Sequence, residues 1–207
     1  LGDISGSDNA RLQIGPGLTI GNAVTVESGS SGTATIGPYD NSWSEVTVSG
    51  AITLSKSLTV NNAGSSPITF SGGITGTGNL TIDNKSNKAF NFTTGSIDNT
   101  GTITNQGAGT STTTISATIG SHVTGITQNS STSKLLLSGN NSTVGGVTIS
   151  SGTLELSGTT NLNLSGNWTN SVGTAGFAAN SSTVTLTGSG QKLLGSTAFY
   201  NLTKNIS

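Results

Sequence analysis

The sequence predicts an all-β chain wound into a parallel β-helix, a β-solenoid with three short strands per coil and a coil of roughly 20 residues. Three observations carry that expectation. Pairs of aliphatic or aromatic residues separated by one polar residue, usually Thr, recur along the whole chain. No stretch holds a 3.6-residue apolar period over helical length. The turns are wrong for hairpins, because the doublets are too short for up-and-down strands and neither Asn-Gly nor Asp-Gly occurs.

The elements follow in order. Residues 1–11 are short and Gly/Ser/Asp-rich, with no amphipathic helix to close an end. The doublets then run Leu12-x-Ile14, Leu18-x-Ile20, Val24-x-Val26, Val46-x-Val48, Ile52-x-Leu54, Leu58-x-Val60, Ile68-x-Phe70, Leu80-x-Ile82 and Phe90-x-Phe92. They resume as Leu135-x-Leu137, Val147-x-Ile149, Leu154-x-Leu156, Leu162-x-Leu164 and Val184-x-Leu186. Successive Cβ atoms of a strand point to opposite faces, so each doublet reads as two inward side chains flanking one outward residue. Grouped in threes, the strands give coils starting near 12, 34, 52, 74 and 97. Roughly ten coils about 4.8 Å apart would make a rod about 45 Å long. Gly and Asn at the corners supply the tight bends.

Composition removes whole classes of function. Ser (33), Thr (36), Gly (31) and Asn (21) make up more than half of the 207 residues, charged residues are 7%, and Cys and Met are absent. Without cysteine there is no disulfide scaffold, thiol chemistry or Cys-ligated metal. Seven basic residues and a net charge of −1 leave no footprint for nucleic acid and no polybasic surface for anionic lipid. No apolar run approaches the ~18 residues of a membrane span. Low charge, three Pro and ordered apolar placement argue against disorder. The start at Leu1, without initiator Met or signal peptide, reads as a processed piece or a segment of a longer exported chain, residues 1–207 forming a single solenoid.

From Lys134 to Gly158 the sequence Lys-Leu-Leu-Leu-Ser-Gly-Asn-Asn-Ser-Thr-Val-Gly-Gly-Val-Thr-Ile-Ser-Ser-Gly-Thr-Leu-Glu-Leu-Ser-Gly resembles the autotransporter-associated β-strand repeat. Ile74-Thr-Gly-Thr-Gly-Asn-Leu-Thr-Ile82 looks like the segment that often precedes that repeat. Leu164–Asn170, Ser182–Gly190 and Phe199–Thr203 are similar to repeats of very large β-helical surface proteins. Residues 1–60 match only in style and 105–133 not at all. The resemblance implies a right-handed parallel β-helix in an exported surface protein, often a stalk or adhesin, and brings no catalytic motif. The membrane-inserting barrel that ends an autotransporter is not among these residues.

Candidate sites are few. The eight acids are Asp3, Asp8, Glu27, Asp40, Glu45, Asp83, Asp98 and Glu155, and only Asp40 and Glu45 share a loop. The paired carboxylates of a glycosidase or the acid cluster of a calcium-dependent lyase are therefore not visible in sequence. The loop Gly37–Glu45 joins Tyr39, Asp40, Trp43 and Glu45, whose rings suit stacking on a sugar; a longer corner covering the neighbouring apolar ladder is the plainer reading. His122, the sole imidazole, reads as a corner residue, too isolated in sequence for a metal site or a Ser-His nucleophile. Arg11 and the six Lys read as solvated surface, the Phe residues as ladder members, and no Gly-Gly-x-Gly-x-Asp calcium repeat occurs. Thr-x-Thr arrays such as Thr112–Thr114 and Thr183-Val-Thr185 do not recur at a constant coil offset, which argues against an ice-binding face. Sequons for N-glycosylation stand at Asn79, Asn84, Asn91, Asn129, Asn140, Asn141, Asn163, Asn167, Asn180, Asn201 and Asn205, only slightly above chance for this composition.

The functional expectation is a non-enzymatic extracellular or cell-surface solenoid, structural or adhesive, without cofactor or metal. It acts as a stalk segment between flanking solenoid coils or as a fibre subunit stacking end to end, with surface glycans as further partners. The alternative is a carbohydrate-binding or carbohydrate-cleaving β-helix using loop 37–45.

Overall fold

The computed structural model describes residues 1–39, 43–140 and 142–205. Every strand pairing in it is parallel, and the strands stack in about nine coils. A 3₁₀ turn at Thr174–Gly176 is the one helical element among the described residues. The solenoid expectation therefore holds, and its physical origin is the doublet: the flanking residues of Val46–Val48, Ile68–Phe70, Phe90–Phe92 and Leu154–Leu156 are buried while the middle residue is not.

Three sheets run along the rod. Sheet one contains Ala10–Ile14, Ala34–Pro38, Leu58–Asn62, Leu80–Asn84, the second half of Ser96–Gln106, Val123–Asn129, Val147–Ser151, Trp168–Asn170 and Leu193–Leu194. Sheet two contains Thr19–Ile20, Val46–Val48, Ile68–Phe70, Phe90–Phe92, Thr113–Ile115, Leu135–Leu137, Leu154–Leu156 and Phe177–Ala178. Sheet three begins with Val24–Val26, Ile52–Leu54, Ile74–Thr77, the first half of Ser96–Gln106 and Thr118–Ile119. Along the same face Ser142–Val144, Asn161–Leu164, Thr183–Leu186 and Asn201–Lys204 form a separate ladder, with no strand pairing to Thr118–Ile119 among the described residues. The strand Ser96–Gln106 bends round a corner, pairing with Ile74–Thr77 through its first half and with Leu80–Asn84 through its second.

Register refines the expected period. Sheet one pairs Ala10 with Ala34, Ala34 with Leu58, Leu58 with Leu80, Leu80 with Ile103, Ile103 with Ile126, Ile126 with Val147, Val147 with Trp168 and Trp168 with Leu193. The step per coil is 21 to 25 residues in sheet one and 18 to 28 in the other two sheets, so the expected period of roughly 20 holds with wide scatter, and the rod has about nine coils where roughly ten were expected. The expected starts at 12 and 34 fall in sheet one, whereas those at 52, 74 and 97 fall in sheet three. Spacing between doublets alone does not say which sheet a strand joins, so the grouping slipped by one strand within the second coil. Leu18 departs from its doublet too, lying 54% exposed before the short strand Thr19–Ile20.

The interior is a continuous apolar column from Ile14 to Leu186. In sheet two Phe70, Phe90 and Phe92 form one stack, with ring centroids 5.1 to 5.8 Å apart and interplanar angles of 14 to 25°. Lower in the rod Trp168, Phe177 and Phe199 meet edge-on or tilted, and Trp168 Nε1 donates to Thr197 Oγ1 at 2.9 Å. One column of sheet one departs from this pattern. Its inward residues are Leu12, Ile36, Val60, Ile82, Asn105, Gln128, Ile149 and Asn170, so amides replace aliphatics in three coils. Asn105, Gln128 and Asn170 are nevertheless buried. Asn105 Nδ2 donates to Gln128 Oε1 at 2.7 Å, and Gln128 Nε2 donates to the carbonyls of Ser130 and Ser133 at 3.0 and 2.8 Å. Ser130 and Ser133 hydroxyls in turn donate to Gly107 O and Ser111 O. Buried polar groups persist where they are hydrogen-bonded, and this corner binds its own turn carbonyls.

The outward side of sheet one is equally ordered. The residues between the inward positions are Thr35, Thr59, Thr81, Thr104, Thr127, Thr148 and Thr169, one per coil and all in register. In the neighbouring outward column, side-chain oxygens accept from the next coil's backbone: Asn9 Oδ1 from Thr33 N at 2.8 Å, Asn79 Oδ1 from Thr102 N at 2.9 Å, Asn167 Oδ1 from Lys192 N at 2.8 Å.

Candidate functional site

The loop singled out in the sequence follows strand Ala34–Pro38 and leads into strand Val46–Val48. Tyr39 is tied at its backbone, its N–H donating to Ile14 O at 2.7 Å, while its side chain is 57% exposed. Trp43 is 79% exposed, and Lys88, two coils further along, places its Nζ 5.0 Å from the indole centroid. Glu45 Oε1 accepts from Thr69 Oγ1 at 2.6 Å. Asp40 lies outside the described residues, so no Asp40–Glu45 pair is described. The described arrangement is an exposed indole beside an ammonium, with a carboxylate held by a hydroxyl of the next coil. That set can stack a sugar ring and accept its hydroxyls.

His122 is not without a partner. Its Nδ1 lies 2.9 Å from Asp98 Oδ2, and its backbone N–H donates to Asp98 Oδ1 at 3.0 Å. The His122 bond holds the Asp98 carboxyl below its ordinary pKa, more than partial burial raises it. The two residues are one coil apart, 24 positions, which is why neighbourhood in sequence missed them. On sheet two, Glu155 bridges coils on either side: Lys134 bonds one carboxylate oxygen, and Asn180 Nδ2 donates to the other at 3.1 Å. Lys134 is the main cause of a lowered Glu155 pKa. A search at the coil step, 18 to 28 residues, would have found both pairs from sequence. Lys85 pairs locally with Asp83 at 2.8 Å. Among the described residues no group of three or more His, Cys, Asp or Glu side chains gathers to hold a metal ion.

The sequons sort by face. Asn79, Asn129, Asn140, Asn167, Asn180, Asn201 and Asn205 are exposed, Asn91 and Asn163 are half-buried, and Asn141 lies outside the described residues. Asn84 faces inward, fully buried, with Nδ2 donating to Ser111 Oγ at 2.9 Å. No glycan fits there, because the second inward doublet position of its strand is extended by this buried amide.

A groove that sequence reasoning missed runs beside the threonine column. It has a volume of about 430 Å³, and its walls include Thr102, Thr124, Thr127, Thr148, Thr169 and Asn167. Its floor is opened by Gly125 and Gly146, which follow Thr102 in the neighbouring outward column. In comparisons with protein-family models, curated proteins and solved structures, nothing matches this chain.

Proposed function

We propose that the chain is a non-enzymatic structural rod of an extracellular or cell-surface protein, serving as a stalk segment or as a fibre subunit. The observation that carries this reading is the stacking: sheet one continues in one direction through nine strands around one apolar column, with register shifts only at Gly101/Thr102 and Gln128/Asn129. Such stacking gives length and stiffness from nearest-neighbour coils. Leu193 and Leu202 occupy inward register positions on the last described strands of their sheets and are each 43% exposed. A further coil would cover them by strand addition, whether it came from the same chain or from a second copy. The resemblance of residues 134–158 to autotransporter-associated repeats supports export to a surface.

Negative-stain electron microscopy of the purified chain tests this. Uniform fibres support the subunit form and discrete short rods the stalk form; compact particles without a long axis overturn both. A second reading, a glycan-binding solenoid, is favoured by exposed Trp43 beside Lys88 and Glu45. Trp43→Ala would abolish retention on an immobilised glycan panel under that reading and leave rod shape unchanged.

A further inference from the structure

We propose that the outward threonine column of sheet one, with the groove beside it, is an ice-binding face. Individual Thr residues, unlike Thr-x-Thr arrays, recur at a constant coil offset. Thr35, Thr59, Thr81, Thr104, Thr127, Thr148 and Thr169 occupy one register position in seven successive coils. Stacked parallel strands repeat at about 4.8 Å, so the seven hydroxyls form a row about 29 Å long. That repeat is close to the spacing of equivalent oxygens along the a axis of hexagonal ice. Each side chain is half-buried between its neighbours above and below, and β-branching restricts χ1. The row is therefore pre-ordered, and little rotamer entropy is lost on binding.

Charge and shape select the ligand. The sheet-one strands Val123–Asn129, Val147–Ser151 and Trp168–Asn170, which carry the last three threonines and line the groove, hold no ionisable residue; elsewhere on this face Arg11 occupies the register position before Thr35, and Asp83, paired with Lys85, stands beside Thr81. The groove walls hold threonine hydroxyls, the Asn167 amide and backbone, with no aromatic ring among its lining residues. Sugar sites are typically built around rings and a few fixed polar groups. A neutral hydroxyl row at a crystalline repeat suits a neutral lattice of water better. The groove is dictated by the backbone only in part, since a Cβ on Gly146 would lie 2.9 Å from Asn167 O. A Cβ on Gly145 would lie 2.0 Å from Thr124 O, but one on Gly125 would meet only Gly146 O at 3.5 Å, ordinary contact. Gly125 has a φ that any residue adopts, so its missing side chain leaves room for water without serving the turn.

The test uses the purified 207-residue chain in nanolitre osmometry with microscopy of single ice crystals. The expected result is faceted crystals and a gap between melting and growth temperatures. Thr127→Tyr interrupts the row, and by shortening a multivalent array should cut that gap roughly tenfold at equal concentration. Thr81→Tyr and the groove-filling Gly125→Leu should lower it as well, while Thr114→Tyr on sheet two should not. Circular dichroism and melting temperature identify which variants fold. Three results overturn the proposal: unshaped ice with the unmodified chain, a full effect in every folded sheet-one variant, or an equal loss in Thr114→Tyr. Binding to microcrystalline cellulose without any effect on ice would overturn it in favour of a polysaccharide ligand.

Discussion

Two regions of one core reach burial by opposite chemistry. In the third and fourth coils, sheet two fills the interior with Phe70, Phe90 and Phe92 stacked on Ile68. In the fifth and sixth coils, the inward column of sheet one passes from Ile82 to Asn105 and Gln128 before returning to Ile149. The first region is held by area removed from water. The second is held by amide N–H groups that donate to a neighbouring amide and to the carbonyls of the Ser130–Ser133 turn, while Asn105 Oδ1 is buried without a partner. The solenoid geometry accommodates both, because each coil needs a filled layer in which most polar groups are paired.

The sharpest way to break the phenyl region is Phe90→Ala, which removes the ring in contact with both neighbours and should cost about 3–5 kcal/mol in urea unfolding. Gln128→Leu tests the amide region. If burial alone mattered, the substitution would be neutral or stabilising. Because it strips the donor from Ser130 O, leaves Ser133 O only the 3.3 Å bond from Asn105 Nδ2 and removes that amide's Oε1 acceptor, we expect a loss of about 1–3 kcal/mol by the same measurement. Corner tightness gives a paired test: Gly145→Ala drives a Cβ against Thr124 O and should lower stability by about 1–3 kcal/mol, whereas Gly125→Ala should leave the melting temperature unchanged.

The smallest effects belong to the clasps on the surface. Asp98 and Glu155 have folded-state pKa values below their ordinary ones. Their contribution is therefore complete above the ordinary carboxylate range and disappears as pH falls through that range toward the lowered values. Asp98→Asn and Glu155→Gln should each cost about 0–1 kcal/mol at neutral pH. Melting curves across acid pH should show a shallower decline for both variants than for the unmodified chain.

The same contrast explains what the sequence made legible. Val46-x-Val48 or Leu154-x-Leu156 announces two inward positions by hydrophobicity alone, and the structure places both there. Residues 105–133 hide because Asn105 and Gln128 look like surface residues until a neighbouring coil supplies their partners. Trp43 was legible as unusual, but its neighbour Lys88 was not, since 45 positions separate them. The partner of the corner residue His122, Asp98, is hidden for the same reason, 24 positions away. In a solenoid the informative neighbour sits one coil away, and a coil step varying from 18 to 28 residues blurs the period that would reveal it.

That variable coil has a mechanical meaning. Backbone hydrogen bonds between parallel coils run along the rod, so tension on its two termini loads the outermost layer first. Unwound, a coil of 18 to 28 residues would release about 60–100 Å of extended chain. A rod drawn out this way would lengthen in unequal steps, one coil at a time.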